Sequence, residues 1–115
     1  MESGFTTRVV VGPEGCVIYV SGELDIATAS KLTTAAETAI SSQSRAVRID
    51  LAEVDFMDST GLSAILQARD HAVDRGLPFY VSRPRPTPAR VFELTGMAEI
   101  LTILDGDETA DLLAS

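Results

Sequence analysis

Short runs rich in β-branched and other apolar residues recur along the chain and predict five strands. The clearest run, residues 46–51, alternates apolar and polar residues, which is typical of a strand with one well-buried face. Gly12-Pro13-Glu14-Gly15 separates the first two runs and is a strong turn signal, so the chain is expected to open with an antiparallel hairpin. The predicted strands are 5–11, 16–20, 46–51, 77–81 and 100–104.

Apolar residues at helical spacing predict helices in the gaps between the later strands. A polar loop over 21–28 leads into the first helix, which extends from about residue 27 to residue 40 and in which Asp25 is a candidate cap or first-turn acid. The second helix begins near Ser59, and Gly76 ends it in a C-cap position. The residues expected on the apolar sides of these helices are Leu32, Ala35, Ala36, Ala39, Ile40, Leu62, Ile65, Leu66 and Val73.

Three prolines within residues 83–88 precede a third helical pattern, carried by Val91, Phe92 and Leu94. Proline fixes φ and lacks an N–H group that would be unpaired in a first helical turn, so this stretch is expected to lead into a helix. The alternative is a polyproline ligand for an aromatic groove. Gly96 is expected to close the third helix, and a short fourth helix is predicted over 107–113 with acids in its first turn.

The predicted order is therefore β-β-α-β-α-β-α-β-α, which indicates an α/β fold with a mixed sheet of about five strands and about four helices. Parallel strands in such a sheet are joined by right-handed crossovers. The pattern leaves open whether the helices cover one or both faces. The chain has 115 residues, of which 45% are hydrophobic, and this suits one compact domain over residues 1–115 with its core in about 5–113.

Charge and composition exclude several functions. The 17 acidic and 9 basic residues give a net charge of −8, which opposes binding to nucleic acids or anionic lipid. No apolar run approaches the length of a membrane span, and the N-terminus lacks the features of a signal peptide, so a cytoplasmic protein is expected. Cys16 is the only cysteine; it excludes an internal disulfide and is expected in the core.

The junction between the third strand and the second helix, residues 54–62, carries the candidate chemistry. Asp58 or Ser59 is the expected N-cap, because either side chain can accept hydrogen bonds from first-turn N–H groups. One interpretation is a capped helix and nothing more. The other is a phosphorylation switch, in which a phosphate on Ser59 brings about −1.5 to −2 charges to first-turn amides able to receive them. The two interpretations are compatible.

Signatures of enzymes are mostly missing from the chain. It has no Walker loop, no Gly-x-Gly-x-x-Gly, no Gly-x-Ser-x-Gly and no His-Glu-x-x-His motif. His71, the only histidine, lies about three helical turns after Ser59 and cannot act as its base by local proximity. Asp55 and Asp58 could form a metal or acid–base pair, but loop and cap roles are favoured. No catalytic activity, metal or cofactor is expected, since a kinase supplies the machinery for phosphorylating an acceptor.

Three segments resemble one known family. Asp50-Leu-Ala-Glu-Val-Asp-Phe-Met-Asp-Ser-Thr-Gly-Leu62 closely resembles the signature of the anti-sigma factor antagonists, the bacterial STAS domains. Gly22-Glu-Leu-Asp25 resembles their second marker, and Leu94-Thr-Gly-Met97 matches a third. The segments lie in the family's order and spacing, and the resemblance extends over about residues 5–113. It implies a STAS-like domain.

The resemblance also implies roles for individual residues. Ser59 matches the serine that is phosphorylated by the cognate anti-sigma factor, itself a serine kinase with bound ATP, and Thr60 adds a second hydroxyl where many relatives have serine. Asp58 matches the preceding acid, and Asp25 matches an acid near the same partner surface. The residues expected to meet the partner are Asp25, Asp58, Ser59, Thr60 and Gly61.

In such systems the unphosphorylated antagonist binds the anti-sigma factor and frees a sigma factor, whereas the phosphorylated form dissociates and a phosphatase resets it. The implied partners are thus a kinase anti-sigma factor and a phosphatase, with the antagonist a monomer or weak dimer. The alternative is an unswitched STAS adaptor or scaffold in a larger signalling or lipid-transport complex. The length of the chain and its lack of a membrane segment argue against a transporter.

Overall fold

The computed structural model describes residues 4–13, 15–40 and 45–105. The predicted hairpin is confirmed: β1 (Thr6–Gly12) and β2 (Gly15–Leu24) are antiparallel. Three further strands follow, β3 (Val47–Met57), β4 (Phe79–Ser82) and β5 (Ile103–Leu104).

The five strands form one mixed sheet in the order β1-β2-β3-β4-β5. Only the β1–β2 pair is antiparallel, whereas β2 to β5 pair with their neighbours in parallel. The predicted α/β architecture with an opening hairpin is therefore confirmed. Because the carboxyl ends of parallel strands meet at the same edge, the loops that follow β2 and β3 lie side by side.

Three α-helices connect the strands: α1 (Ala29–Ile40), α2 (Ser59–Asp74) and α3 (Pro86–Thr95). Prolines occupy the first turn of α3 and Gly96, with a φ of 77°, ends it, so the prolines serve as helix entry and not as an extended ligand. The predicted fourth helix, 107–113, lies outside the described residues. Within the described ranges, no helix has both the length and the apolar character needed to cross a membrane.

Several predicted element boundaries were wrong. Residues 21–24, predicted as a polar loop, extend β2, since they pair with the second half of β3 from Ser21↔Glu53 to Leu24↔Met57. α1 begins at Ala29 because residues 25–28 form a separate turn. β5 is shorter than predicted because a 3₁₀ helix, Met97–Glu99, precedes it and holds the Leu101 N–H on the Met97 carbonyl at 2.9 Å.

The hydrophobic core lies on one face of the sheet. Residues of all three helices join alternate residues of β2, β3 and β4 in a single cluster. Leu32 and Ala36 of α1 and Leu62 and Ile65 of α2 are buried as predicted, and Cys16 is buried in the core as well. Val73 was placed wrongly on the apolar side of α2: it is 51% exposed. The residues of α2 that instead complete the core are Ala64, Ala68 and Ala72.

The opposite face of the sheet carries a buried polar network centred on Asp50, which is 2% exposed. Oδ2 of Asp50 accepts hydrogen bonds from Arg48 Nη1 at 3.0 Å, Ser82 Oγ at 2.8 Å and Arg83 Nε at 3.0 Å. Oδ1 accepts from the Ala52 N–H at 3.1 Å. The network ties β3 to the end of β4, and the sequence analysis did not predict it.

Hydrogen bonding controls the ionisation of Asp50. Burial by itself would raise the pKa of this carboxyl, but the hydrogen bonds from Arg83, Ala52 and Ser82 together hold the pKa below its ordinary value of 3.8. Arg83 has a φ of 51°, in the left-handed region, and its N–H donates to the Leu104 carbonyl at 2.8 Å. The ion pair with Asp50 therefore accompanies an unfavourable backbone conformation at Arg83.

A lowered pKa in the folded state means that Asp50 stabilises the fold above pH 3.8 and that this contribution is lost as the pH falls through the lower, folded value. We expect Asp50→Asn to reduce the free energy of unfolding by about 3 kcal/mol near pH 7, because the buried guanidinium of Arg48 loses its counter-charge. The difference from the wild type should shrink below about pH 4. Urea unfolding at several pH values measures both quantities.

Asp70→Asn is the matched control, since Asp70 lies on the surface and its carboxylate is 3.8 Å from Arg69 Nη1. This change should alter stability by less than about 0.5 kcal/mol. A difference between Asp50→Asn and the wild type that stays constant with pH would show that the charge of Asp50 does not stabilise the fold.

Candidate functional site

Ser59 is the first residue of α2 and is exposed, directly after the end of β3. Asp58 precedes it in extended conformation and is the N-cap: its Oδ1 accepts hydrogen bonds from the N–H groups of Thr60 and Gly61, each at 3.0 Å. Of the two predicted caps, Asp58 is thus the one that performs this role. The hydroxyl of Ser59 is not required to begin the helix.

The cap also changes the expected surroundings of a phosphate on Ser59. First-turn amides are expected to receive the phosphate, but Asp58 already occupies those of Thr60 and Gly61. The Leu62 N–H is likewise bonded, to the Asp58 carbonyl at 3.0 Å. An added phosphate would therefore meet the carboxylate of Asp58 and amides that are already paired. We expect repulsion between the phosphate and this carboxylate, and not capture by the helix end, to be the main local effect.

Asp25 begins a compact turn between β2 and α1. Its Oδ1 accepts a hydrogen bond from the Ala27 N–H at 3.0 Å, and its carbonyl accepts from the N–H of Ala29, the first residue of α1, at 2.8 Å. Asp25 was predicted as a cap or first-turn acid of α1, but it begins the turn that precedes this helix. Its side chain is half-buried, so part of the carboxylate remains available at the surface.

Thr28 closes the same turn and was missed by sequence reasoning. Its hydroxyl donates to the Glu23 carbonyl at 2.7 Å and accepts from the Asp25 N–H at 3.0 Å, and the residue is 2% exposed. The detectable signal was the spacing of Asp25 and Thr28, since a hydroxyl and an acid three residues apart are typical of a helix start, although the hydroxyl comes first in the common motif.

The pairing of β2 with β3 brings the Asp25 turn beside the start of α2. Leu24 and Met57, the last residues of the two strands, are direct partners, so Asp25 and Asp58 follow at the same edge. The Asp58 N–H also lies 3.4 Å from the Leu24 carbonyl. Two irregularities in the register, each adding one residue to β3, make the two strand ends level. We call the surface formed by residues 25–27 and 58–60 the switch surface.

Gly61 lies beneath the switch surface and is buried. A Cβ atom at this position would overlap the Leu24 carbonyl and press on the side chains of Leu24 and Met57 at 2.9 Å. Glycine is therefore what allows α2 to approach the end of β2. Thr60 is half-buried, so Ser59 presents the more accessible hydroxyl. The expected partner contacts of all these residues stay predictions.

The other candidate groups are spread apart. Oδ1 of Asp55 lies 3.6 Å from Arg85 Nη1 in an exposed ion pair, and His71 is half-buried far along α2, about 18 Å from Ser59 by helix rise. Among the described residues, no three histidine, cysteine or acidic side chains group in a way that could hold a metal ion.

Comparison with known proteins gives a consistent result. The family model of the STAS domain matches residues 6–110. The chain is similar to the anti-sigma-B factor antagonist of Listeria monocytogenes, with 36% identity over 86 residues that cover 75% of each chain.

Two solved structures have the same fold. A crystal structure of an anti-sigma factor antagonist from Mycobacterium paratuberculosis aligns with a TM-score of 0.81 and 27% identity, covering 96% of this chain and 93% of that one. The phosphorylated form of the Bacillus cell fate determinant SpoIIAA aligns with a TM-score of 0.72 and 24% identity, covering 97% and 100% of the two chains. At that identity the second likeness establishes the fold alone.

Gly61→Ala tests the tight approach beneath the switch surface. In an ordinary helix interior, replacing glycine with alanine stabilises the helix by up to about 1 kcal/mol. Here we expect the opposite, a loss of about 1–3 kcal/mol, because the new methyl group overlaps the Leu24 carbonyl. Urea unfolding monitored by circular dichroism measures the change.

Ser63→Ala, at an exposed position of the same helix, is the control and should shift stability by less than about 0.5 kcal/mol. If Gly61→Ala were more stable than the wild type, α2 and the end of β2 would not be held in close contact.

Proposed function

The chain belongs to the STAS domain family, and from this premise we propose that it is an anti-sigma factor antagonist whose activity is switched by phosphorylation of Ser59. In its unphosphorylated form it binds an anti-sigma factor that is a serine kinase, and this releases a sigma factor. Phosphorylation ends the binding, and a phosphatase restores it. The protein itself is not an enzyme in this scheme, and it acts as a monomer or weak dimer in the cytoplasm.

The observation that carries the proposal is the position of the Ser59 hydroxyl. It is exposed at the first residue of a helix that another side chain, Asp58, already caps. A hydroxyl that neither packs in the core nor serves as the cap can be modified without loss of the fold. The 36% identity to a named anti-sigma-B factor antagonist supports the choice of partner class.

The chemistry of the switch requires only an acceptor from this chain. The Ser59 Oγ forms a bond to the γ-phosphorus of ATP, the bond from that phosphorus to the bridging oxygen breaks, and ADP leaves. The hydroxyl proton passes to a base of the kinase, which also supplies the metal and holds the nucleotide. Hydrolysis of the phosphoserine by the phosphatase regenerates the hydroxyl and releases inorganic phosphate.

The phosphate acts through charge at the switch surface. It brings about −1.5 to −2 charges to a place where the carboxylates of Asp25 and Asp58 already lie at the same edge of the sheet. The switch surface therefore becomes much more negative than the surface that fits the partner. Desolvating this charge in an interface is costly, and like charges on the partner would add repulsion.

The first test is phosphorylation of the purified protein by candidate kinase anti-sigma factors with ATP. We expect one phosphate per chain, lost in Ser59→Ala and retained in Thr60→Ala and Ser63→Ala, as measured by intact mass. Ser59→Ala should keep wild-type stability within about 0.5 kcal/mol, because Asp58 provides the cap. It should also stay bound to the partner when ATP is present.

Two results would contradict this proposal. Phosphate that remains on Ser59→Ala would move the site to another residue, with Thr60 the first to examine. A wild-type protein that binds no kinase anti-sigma factor and takes no phosphate would instead favour an unswitched STAS adaptor or scaffold.

A second prediction concerns the reach of the modification. Because Asp58 keeps the cap and the buried Leu62 and Ile65 anchor α2, phosphorylation should leave the fold in place. Amide NMR spectra of the free protein in both states should differ within residues 25–28 and 58–62. Shifts extending to Val17 and Val47, in the central strands, would show that the domain is rearranged and would contradict a local mechanism.

A further inference from the structure

Ile26 has the most exposed large apolar side chain among the described residues: 81% of its surface is accessible to solvent. It occupies the turn between β2 and α1, directly after Asp25. Single exposed apolar residues are common and carry no meaning alone. The position of Ile26 on the switch surface, together with the rigidity of its turn, distinguishes it from the others.

The two residues that follow Ile26 donate hydrogen bonds to Asp25, the residue before it, and these bonds close the turn. The Thr28 N–H donates to the Asp25 carbonyl at 3.1 Å, and the Ala27 N–H donates to Asp25 Oδ1 at 3.0 Å. The buried hydroxyl of Thr28 fixes the base of the turn on the Glu23 carbonyl. A side chain presented by such a turn loses little backbone entropy when a partner covers it, which favours tight binding.

Ile26 also lies at the edge of the sheet that carries Ser59. The Leu24↔Met57 pairing ends both strands level, Ile26 follows two residues after Leu24, and Ser59 follows two residues after Met57. The intervening residues, Asp25 and Asp58, are half-buried acids. The surface therefore combines one projecting apolar side chain with two carboxylates and the acceptor hydroxyl.

We propose that Ile26 is the apolar anchor by which the switch surface docks on the kinase anti-sigma factor, entering an apolar pocket whose rim carries basic side chains. This inference rests on the proposed function. The apolar character of Ile26 fits a pocket, and the carboxylates of Asp25 and Asp58 fit a basic rim by charge complementarity. It also accounts for the effect of phosphorylation, since added negative charge and bound water beside the anchor oppose its burial.

The test compares Ile26→Ser with Ile26→Leu and Val73→Ser in binding to the kinase anti-sigma factor with ADP, measured by calorimetry. Val73 is the matched control, because it is 51% exposed near the far end of α2, about 21 Å from Ser59. We expect at least a tenfold loss of affinity for Ile26→Ser, less than threefold for Ile26→Leu and less than twofold for Val73→Ser. All three should keep the wild-type melting temperature within a few degrees.

Phosphorylation of Ser59 provides the second measurement. Ile26→Ser should raise the KM for phosphorylation at least tenfold while kcat changes little, because the anchor binds the partner and takes no part in the transfer. The affinity of the wild type should fall as salt is added, as a basic rim requires.

The outcomes separate this inference from the function on which it rests. Wild-type affinity and KM in Ile26→Ser, with Ser59 still phosphorylated, would overturn the anchor and leave the proposed function standing. Equal losses of affinity in Ile26→Ser and Val73→Ser would overturn the anchor as well. An affinity that does not change with salt would contradict the proposal of a basic rim. If the wild type neither binds nor is phosphorylated, both proposals fail.

Discussion

The parallel pairing of β2 with β3 is the constraint on which the rest of the molecule depends. It continues past the turn-like residues Gly22 and Glu23 to Leu24 and Met57, and two extra residues in β3 keep the strand ends level. Without these two extra residues, the Asp25 turn and the start of α2 would be offset along the sheet. The close approach at Gly61 then holds the helix against the end of β2.

A single carboxylate separates the structural and chemical roles at this junction. Asp58 accepts hydrogen bonds from N–H groups in the first turn of α2, so the adjacent serine is not needed as the helix cap. Had Ser59 been the cap, a phosphate would remove a stabilising hydrogen bond and then compete for the same amides. With aspartate as the cap, the added charge is directed towards solvent and towards whatever covers the surface.

Local signals in the sequence predicted the features that depend on neighbouring residues. The Gly12–Gly15 turn, the cap at Asp58 or Ser59, the proline entry to α3 and its end at Gly96 all follow from backbone chemistry within a few positions. The family resemblance correctly indicated the fold, because its three segments are spread along the sheet and helices.

What the sequence could not provide depends on distant partners. Residues 21–24 are polar and contain Gly22, and only pairing with β3 makes them a strand. Arg48 and Asp50 have the alternation of a solvated strand face, yet they are buried, and the distant residues Ser82 and Arg83 supply hydrogen bonds to them. Small residues of α2 such as Ala68 were less conspicuous than Val73, although Ala68 is buried where α2 packs against α1.

The dependence of the switch surface on paired strands has a consequence for quality control in the cell. Asp25 and Ser59 lie far apart in the chain and come to the same edge of the sheet only when β2 and β3 are in register. Such non-local strand pairing forms slowly in folding. In a newly made or damaged copy, the hairpin and α1 could form while β3 stays unpaired. Such a copy would present the Asp25 turn without the start of α2 beside it. If the chain acts as proposed, such a copy could not bind the partner, and the number of folded copies, not the number synthesised, would set the strength of the signal.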